Sequence, residues 1–161
     1  MAKDTKNILL AVGDDEYEAE LAARNAIAEH VPQECRESAV EIVSGDASNA
    51  ESQLASIREC MSSVSTPPFL DPVKLTWWKG VTFLPGGGRG GKIADDVKNA
   101  LEGLAEFLAG NPLPPNQFLV VTALKLLQTS VFAKRMGAIS DVMICSTPDR
   151  SAERTAAALG R

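Results

Sequence analysis

The chain has 161 residues, enough for one compact domain with a real core. Its net charge of −5 argues weakly against a nucleic-acid footprint, since neutralising phosphates takes clustered Lys and Arg. No apolar run reaches the length of a membrane span and the N-terminal segment has no secretory h-region. The three widely spaced cysteines, Cys35, Cys60 and Cys145, read as reduced thiols of a cytoplasmic protein rather than a disulfide or zinc framework.

Asn7 to Val12 is a short continuous apolar run closed by Gly13, the pattern of a strand buried on both faces. Asp14 or Asp15 then offers an N-cap, with Glu18 giving a weaker form of the capping box, and Tyr17, Leu21, Ala22 and Ile27 recur at helical spacing. Pro32 ends that helix. Ala39 to Val43 is a second strand closed by Gly45-Asp46. Ser48 or Asn49 caps a helix through Leu54, Ile57 and Met61. Ser62 to Pro72 is a loop dense in Ser and Pro with the apolar pair Phe69-Leu70 at its centre. The third strand is Lys74 to Trp78, in which one indole faces the core and the other packs under a helix. Gly86 to Gly91 reads as a flexible linker.

Ile93 to Leu108 is an amphipathic helix through Val97, Leu101 and Leu104. A turn cluster, Asn111 to Asn116, leads into the fourth strand, Phe118 to Val121. Leu126 to Met136 is a further helix ending at Gly137, Ile139 to Cys145 a fifth strand, and Thr147-Pro148-Asp149 the start of a last short helix. Strands alternating with helices of this length imply crossover units and a mainly parallel sheet with helices on both faces.

Ligands of open α/β sheets usually sit at the turn after a strand, but the acidic GDDE turn after the first strand would repel a phosphate. Gly86 to Lys92, GGGRGGK, fits the phosphate-loop spacing G-x-x-x-x-G-K. Three features oppose a nucleotide-binding reading. Ile93 follows, so no hydroxyl is present to hold magnesium; the tract comes after the third strand, not the first; and a run this rich in glycine meets the pattern by composition alone.

A second alternative is a degenerate receiver-like signalling domain. Asp14-Asp15 and Val121-Thr122-Ala123 suit its magnesium and phosphoryl contacts, but Lys79 to Pro85, after the third strand, has no acceptor carboxylate. His30 lies near a helix end and suits a charge partner for that terminus better than a catalytic base. No nucleophile turn and no metal-ligand spacing is present, so no catalytic residue, cofactor or metal is assigned. Trp77-Trp78 could form a base-stacking platform, but Lys74 and Lys79 are few for that role.

With these residues in view, the chain resembles the N-terminal domain of the delta subunit of the bacterial DNA polymerase III clamp loader. The matching pieces are NILLAVGDDEYEAELAARNAI, AVEIVSGDAS, PPFLDPVKLTWW followed by FLP, PPNQFLVVTALKL, and VFAKRMGAISDVMICSTP, which together span about Asn7 to Pro148. The resemblance implies an AAA+ type domain without a working phosphate loop, its five parallel strands in the order 5-1-4-3-2. It implies a protein that does not hydrolyse ATP, binds the ring-shaped sliding clamp (the beta subunit) and helps to open it. The other clamp-loader subunits are implied as partners, and DNA only indirectly. The family's clamp contact, an adjacent apolar pair just before the third strand, falls on Phe69 and Leu70. Members of that family continue into a helical lid and a collar domain. On that basis residues 1–148 form the domain, with the glycine-rich linker at 86–91, and residues 149–161 are the start of a lid domain or a C-terminal tail.

Overall fold

A computed structural model describes residues 6–86 and 93–145. Five strands form one sheet: β1 (Ile8–Val12), β2 (Val40–Ser44), β3 (Lys74–Val81), β4 (Gln117–Ala123) and β5 (Asp141–Ile144). Their order is β2-β3-β4-β1-β5 and every pairing is parallel. This is the order 5-1-4-3-2 implied above. The helices are α1 (Glu16–His30), α2 (Arg36–Ala39), α3 (Ala50–Ser65), α4 (Asp95–Gly110) and α5 (Val131–Ile139), with one 3-10 turn at Gln33–Cys35. Among the described residues no helix is long and apolar enough to cross a membrane.

The sheet is covered on both faces. On one, Leu10, Val12, Trp78, Leu119 and Val121 meet α3, α4 and α5 through Ile57, Leu101, Leu104, Phe132 and Met136. On the other, Leu75, Trp77 and Val120 pack with Ala23 of α1, and Ala11 with Ala19 and Ala22. Both indoles are buried, one on each side of β3. Trp78 Nε1 donates to Ser56 Oγ at 2.9 Å and Trp77 Nε1 donates to Thr122 Oγ1 at 3.1 Å. Each tryptophan therefore gains its burial without stranding a donor.

Several boundaries differ from the sequence expectation. The inner stripe of α1 is Ala19, Ala22 and Ala23, whereas Tyr17 and Leu21 are exposed. Small side chains let the helix lie close to the sheet, and Ile27 joins them against the core near the helix end, as its spacing implies. The caps agree with the sequence reading: of Asp14 and Asp15 it is Asp15 whose Oδ1 accepts from the Glu18 amide, at 3.0 Å, and of Ser48 and Asn49 it is Asn49 that caps α3, accepting from the Ser52 amide at 2.8 Å. Helix α3 runs on to Ser65, four residues into the expected loop.

The expected helix from Leu126 begins only at Val131. Residues 126–130 are held as a turn, with the Leu127 amide donating to Pro85 O at 2.7 Å, and Ser130 Oγ caps the helix by accepting from the Ala133 amide at 3.1 Å. Gly137 lies inside α5, and Ile139 ends that helix rather than opening β5. β3 extends beyond Trp78 to Val81. The 33–39 turn and helix, too short to show periodicity, escaped the sequence reading. Of the glycine-rich tract only Gly86 is described; residues 87–92, and the helix expected from Thr147, lie outside the described residues.

Candidate functional site

Two distinct surface regions lie at opposite ends of the strands. The first is the loop between α3 and β3. Phe69 is 90% exposed and Leu70 85% exposed, the two most exposed large apolar side chains described. They sit between Pro67-Pro68 and Pro72, which restrict the backbone around them. A core role for the pair is excluded by that exposure.

The base of the loop is densely bonded. Lys74 Nζ donates to Ser63 O at 2.8 Å and to Thr66 O at 3.1 Å, and stands 3.3 Å from Glu41 Oε1. Gln117 Nε2 donates to Val64 O at 3.1 Å and to Thr66 O at 3.4 Å. These carbonyls close α3, which is where a helix leaves acceptors unpaired and favours a cation. Ser63 Oγ donates to Glu41 Oε1 at 2.7 Å and lies 2.7 Å from Thr76 Oγ1. The Ser63 hydroxyl, and next the Lys74 ammonium, hold the Glu41 carboxyl below the usual carboxylate range against the opposing effect of burial. Further along, Ser38 Oγ donates to Asp71 Oδ1 at 3.0 Å. A shallow groove of about 400 Å³ runs between this loop and the start of β2.

The second region is a cleft of about 370 Å³ at the C-terminal ends of the strands. Gly13, Glu16, Glu20, Asp46, Lys79 and Thr122 are among the residues lining it. Gly13 has a φ of +153°, and a Cβ there would stand 1.8 Å from Cys145 O, so only glycine fits the turn out of β1. Its amide donates to Ala123 O at 2.9 Å, and the Asp15 amide to Cys145 O at 3.0 Å. Two amides of the GDDE turn, those of Gly13 and Asp15, are thus spent on carbonyls at the ends of neighbouring strands, and carboxylates border the opening.

Lys79 Nζ lies 4.9 Å from the centre of the Trp77 ring, a cation–π contact. The hydrogen bond from Arg24, and more weakly the charge of Lys79, hold Glu20 below the usual carboxylate range. Thr122, named in the receiver alternative, accepts from Trp77 Nε1 and from the Gly80 amide at 3.0 Å. It serves the fold at the end of β4. Lys79 and Gly80 occupy the end of β3, so the acceptor carboxylate of a receiver has no counterpart there. His30 ends α1 with its ring stacked on Phe118, centroids 4.1 Å apart. Among the described residues no group of His, Cys, Asp and Glu is placed to hold a metal ion.

Sequence reasoning singled out Phe69 and Leu70 but missed the residues beneath them, Glu41, Ser63, Lys74 and Gln117. The one available signal was a polar side chain, Gln117, set directly against the apolar run of β4.

No protein-family model and no curated protein matches the chain. Among solved structures it is similar to the Bacillus subtilis DNA clamp loader delta protein (YqeN). The TM-score is 0.64 and the identity 18%, over 98% of this chain and 43% of that one. It is also similar to a DNA polymerase III gamma subunit-related protein of Thermotoga maritima, with a TM-score of 0.54 and 12% identity over 96% of this chain and 46% of that one. The chain has the fold of these clamp-loader-type proteins. It spans less than half the length of either.

Proposed function

We propose that this domain is a non-catalytic binding module of a replication clamp loader, the delta-type part that contacts the sliding clamp and helps to open it. Phe69 and Leu70 make the contact, the other loader subunits are its neighbours, and DNA is reached only through the assembly. The observation that carries the reading is an apolar pair almost fully exposed at the tip of a loop whose base is fixed by hydrogen bonds. An apolar pair held out in this way can enter a hydrophobic pocket on a partner, as interface hot spots do. The fold shared with the clamp loader delta protein of B. subtilis points in the same direction. The acidic lining of the strand-end cleft favours this module over a nucleotide hydrolase.

The test is the double variant Phe69→Ala with Leu70→Ala, assayed for affinity to the clamp of the same organism and for its denaturation midpoint. Each side chain contributes about 1.5–3 kcal/mol when buried in a partner, so losing both weakens binding by roughly two to four orders of magnitude. The folded chain hides almost none of either, so stability changes by less than about 0.5 kcal/mol. Unchanged clamp affinity would remove these residues from the contact.

A further inference from the structure

We infer that Lys74 and Gln117 are positioning residues that set clamp affinity by fixing the loop that carries Phe69 and Leu70, an inference that rests on the clamp-contact reading above. The loop leaves α3 at Thr66 and returns at Lys74. Thr66 O accepts from both Lys74 Nζ and Gln117 Nε2. Lys74 therefore closes its own loop, tying the residue where the chain departs to the residue where it returns. Gln117 is the first residue of β4 and only 6% exposed, and it reaches the same carbonyl from the neighbouring strand. The Lys74 ammonium is oriented in turn by Glu41, which the Ser63 hydroxyl holds.

Carbonyls at an exposed helix end can be satisfied by water or by a tightened last turn, but Val64 O is buried and takes Gln117 instead. What the arrangement adds is a fixed geometry for the segment beyond. With both ends pinned and Pro67, Pro68 and Pro72 stiffening the stem, only the tip at Phe69 and Leu70 projects freely. Ordering a loop on binding opposes association, and a loop ordered beforehand avoids that loss.

Lys74→Met and Gln117→Leu keep the side-chain bulk and remove the donors. Clamp affinity of each falls about three- to tenfold, the scale set by ordering one or a few side chains on binding. Amide hydrogen exchange of the free chain quickens in both at Thr66 and Lys74, whose amides are hydrogen-bonded at the two ends of the loop. On a Leu70→Ala background the same substitutions cost less than about threefold, because part of what they position is gone. Lys74→Arg, which retains a cation able to donate to the same carbonyls, folds and keeps wild-type affinity, giving a folded reference if the other variants are unstable. Equal losses on both backgrounds, or wild-type affinity in Lys74→Met and Gln117→Leu while Phe69→Ala/Leu70→Ala abolishes binding, would overturn the positioning role alone. Full affinity in Phe69→Ala/Leu70→Ala would instead overturn the clamp-contact reading, and this inference with it.

Discussion

At the N-terminal ends of β3 and β4 the molecule turns polar groups inward and apolar groups outward. Lys74, Gln117 and Ser63 are spent on internal carbonyls and on Glu41, while Phe69 and Leu70 stand in solvent. At the C-terminal ends of the strands the arrangement is reversed. Trp77 and Thr122 form part of the floor of the cleft, and Glu16, Glu20 and Asp46 line it. The usual ligand position of an open α/β sheet is therefore the less hospitable end for a phosphate, and the opposite end offers the surface a protein partner would take. Fold alone points to the strand-end cleft; the proposal of a contact at the loop rests on the side chains at the other end.

If the two ends are separable, a change at one should leave the other intact. Gly13→Ala is the severest test from the cleft side. The added Cβ would collide with Cys145 O, and the backbone is held at a φ few other residues adopt. We expect a loss of about 3 kcal/mol or more in folding stability, measured by chemical denaturation. Clamp affinity, measured well below the denaturation midpoint, stays at the wild-type value. A parallel loss of affinity in the folded variant would show that the ends communicate through β1 and β4.

The two ends were also unequally legible in the sequence. β1 and β4 read clearly as ILLAV and FLVV because a sheet covered on both faces needs unbroken apolar runs. Gly13 marked its turn for the same local reason. The inner face of α1 is legible in half of its expected residues: Ala22 and Ile27 pack on the core, whereas Tyr17 and Leu21 are exposed and Ala19 and Ala23 take their place. Helix α5 was placed too early because Leu126 and Leu127 continue an apolar pattern through a turn that Pro85 and Ser130 stabilise. Apart from Gln117 standing ahead of the apolar run of β4, the network under the loop has no local signature. Gln117 meets Val64 O across 53 residues of chain, and its partners are backbone atoms that no side-chain spacing reveals.

Within that network Glu41 gives a smaller and pH-dependent effect. Its folded-state pKa lies below the unfolded value of about 4.3, because Ser63 and Lys74 favour the charged form. Its contribution to stability is therefore present above about pH 4.3 and is lost as pH falls through the lower folded value. The side chain is 49% exposed, so screening keeps the gain below about 1 kcal/mol. Wild type should exceed Glu41→Gln in stability near neutral pH, and the gap should close as pH falls below 4. A gap that is constant with pH would mean that the charge of Glu41 adds nothing to the loop base.

The smallest expected effect is none at all, and it bears on the cleft. A nucleotide that bound the folded chain alone would stabilise it by mass action, by about 2.7 kcal/mol at a hundredfold excess over its Kd. For a domain of this size that would raise the melting temperature by roughly 5–10 °C. Glu16, Glu20 and Asp46 oppose a triphosphate at the strand ends, and Lys79, the one cation lining the cleft among the described residues, is engaged with the Trp77 ring. Millimolar ATP with magnesium should therefore leave the melting temperature unchanged and be hydrolysed no faster than in buffer. The GGGRGGK tract supplies the control, because a working phosphate loop there would depend on Lys92. A saturable upward shift in the wild-type chain that disappears in Lys92→Ala would make that tract a nucleotide site. The contrast between an inert cleft and a binding loop would then have to be abandoned.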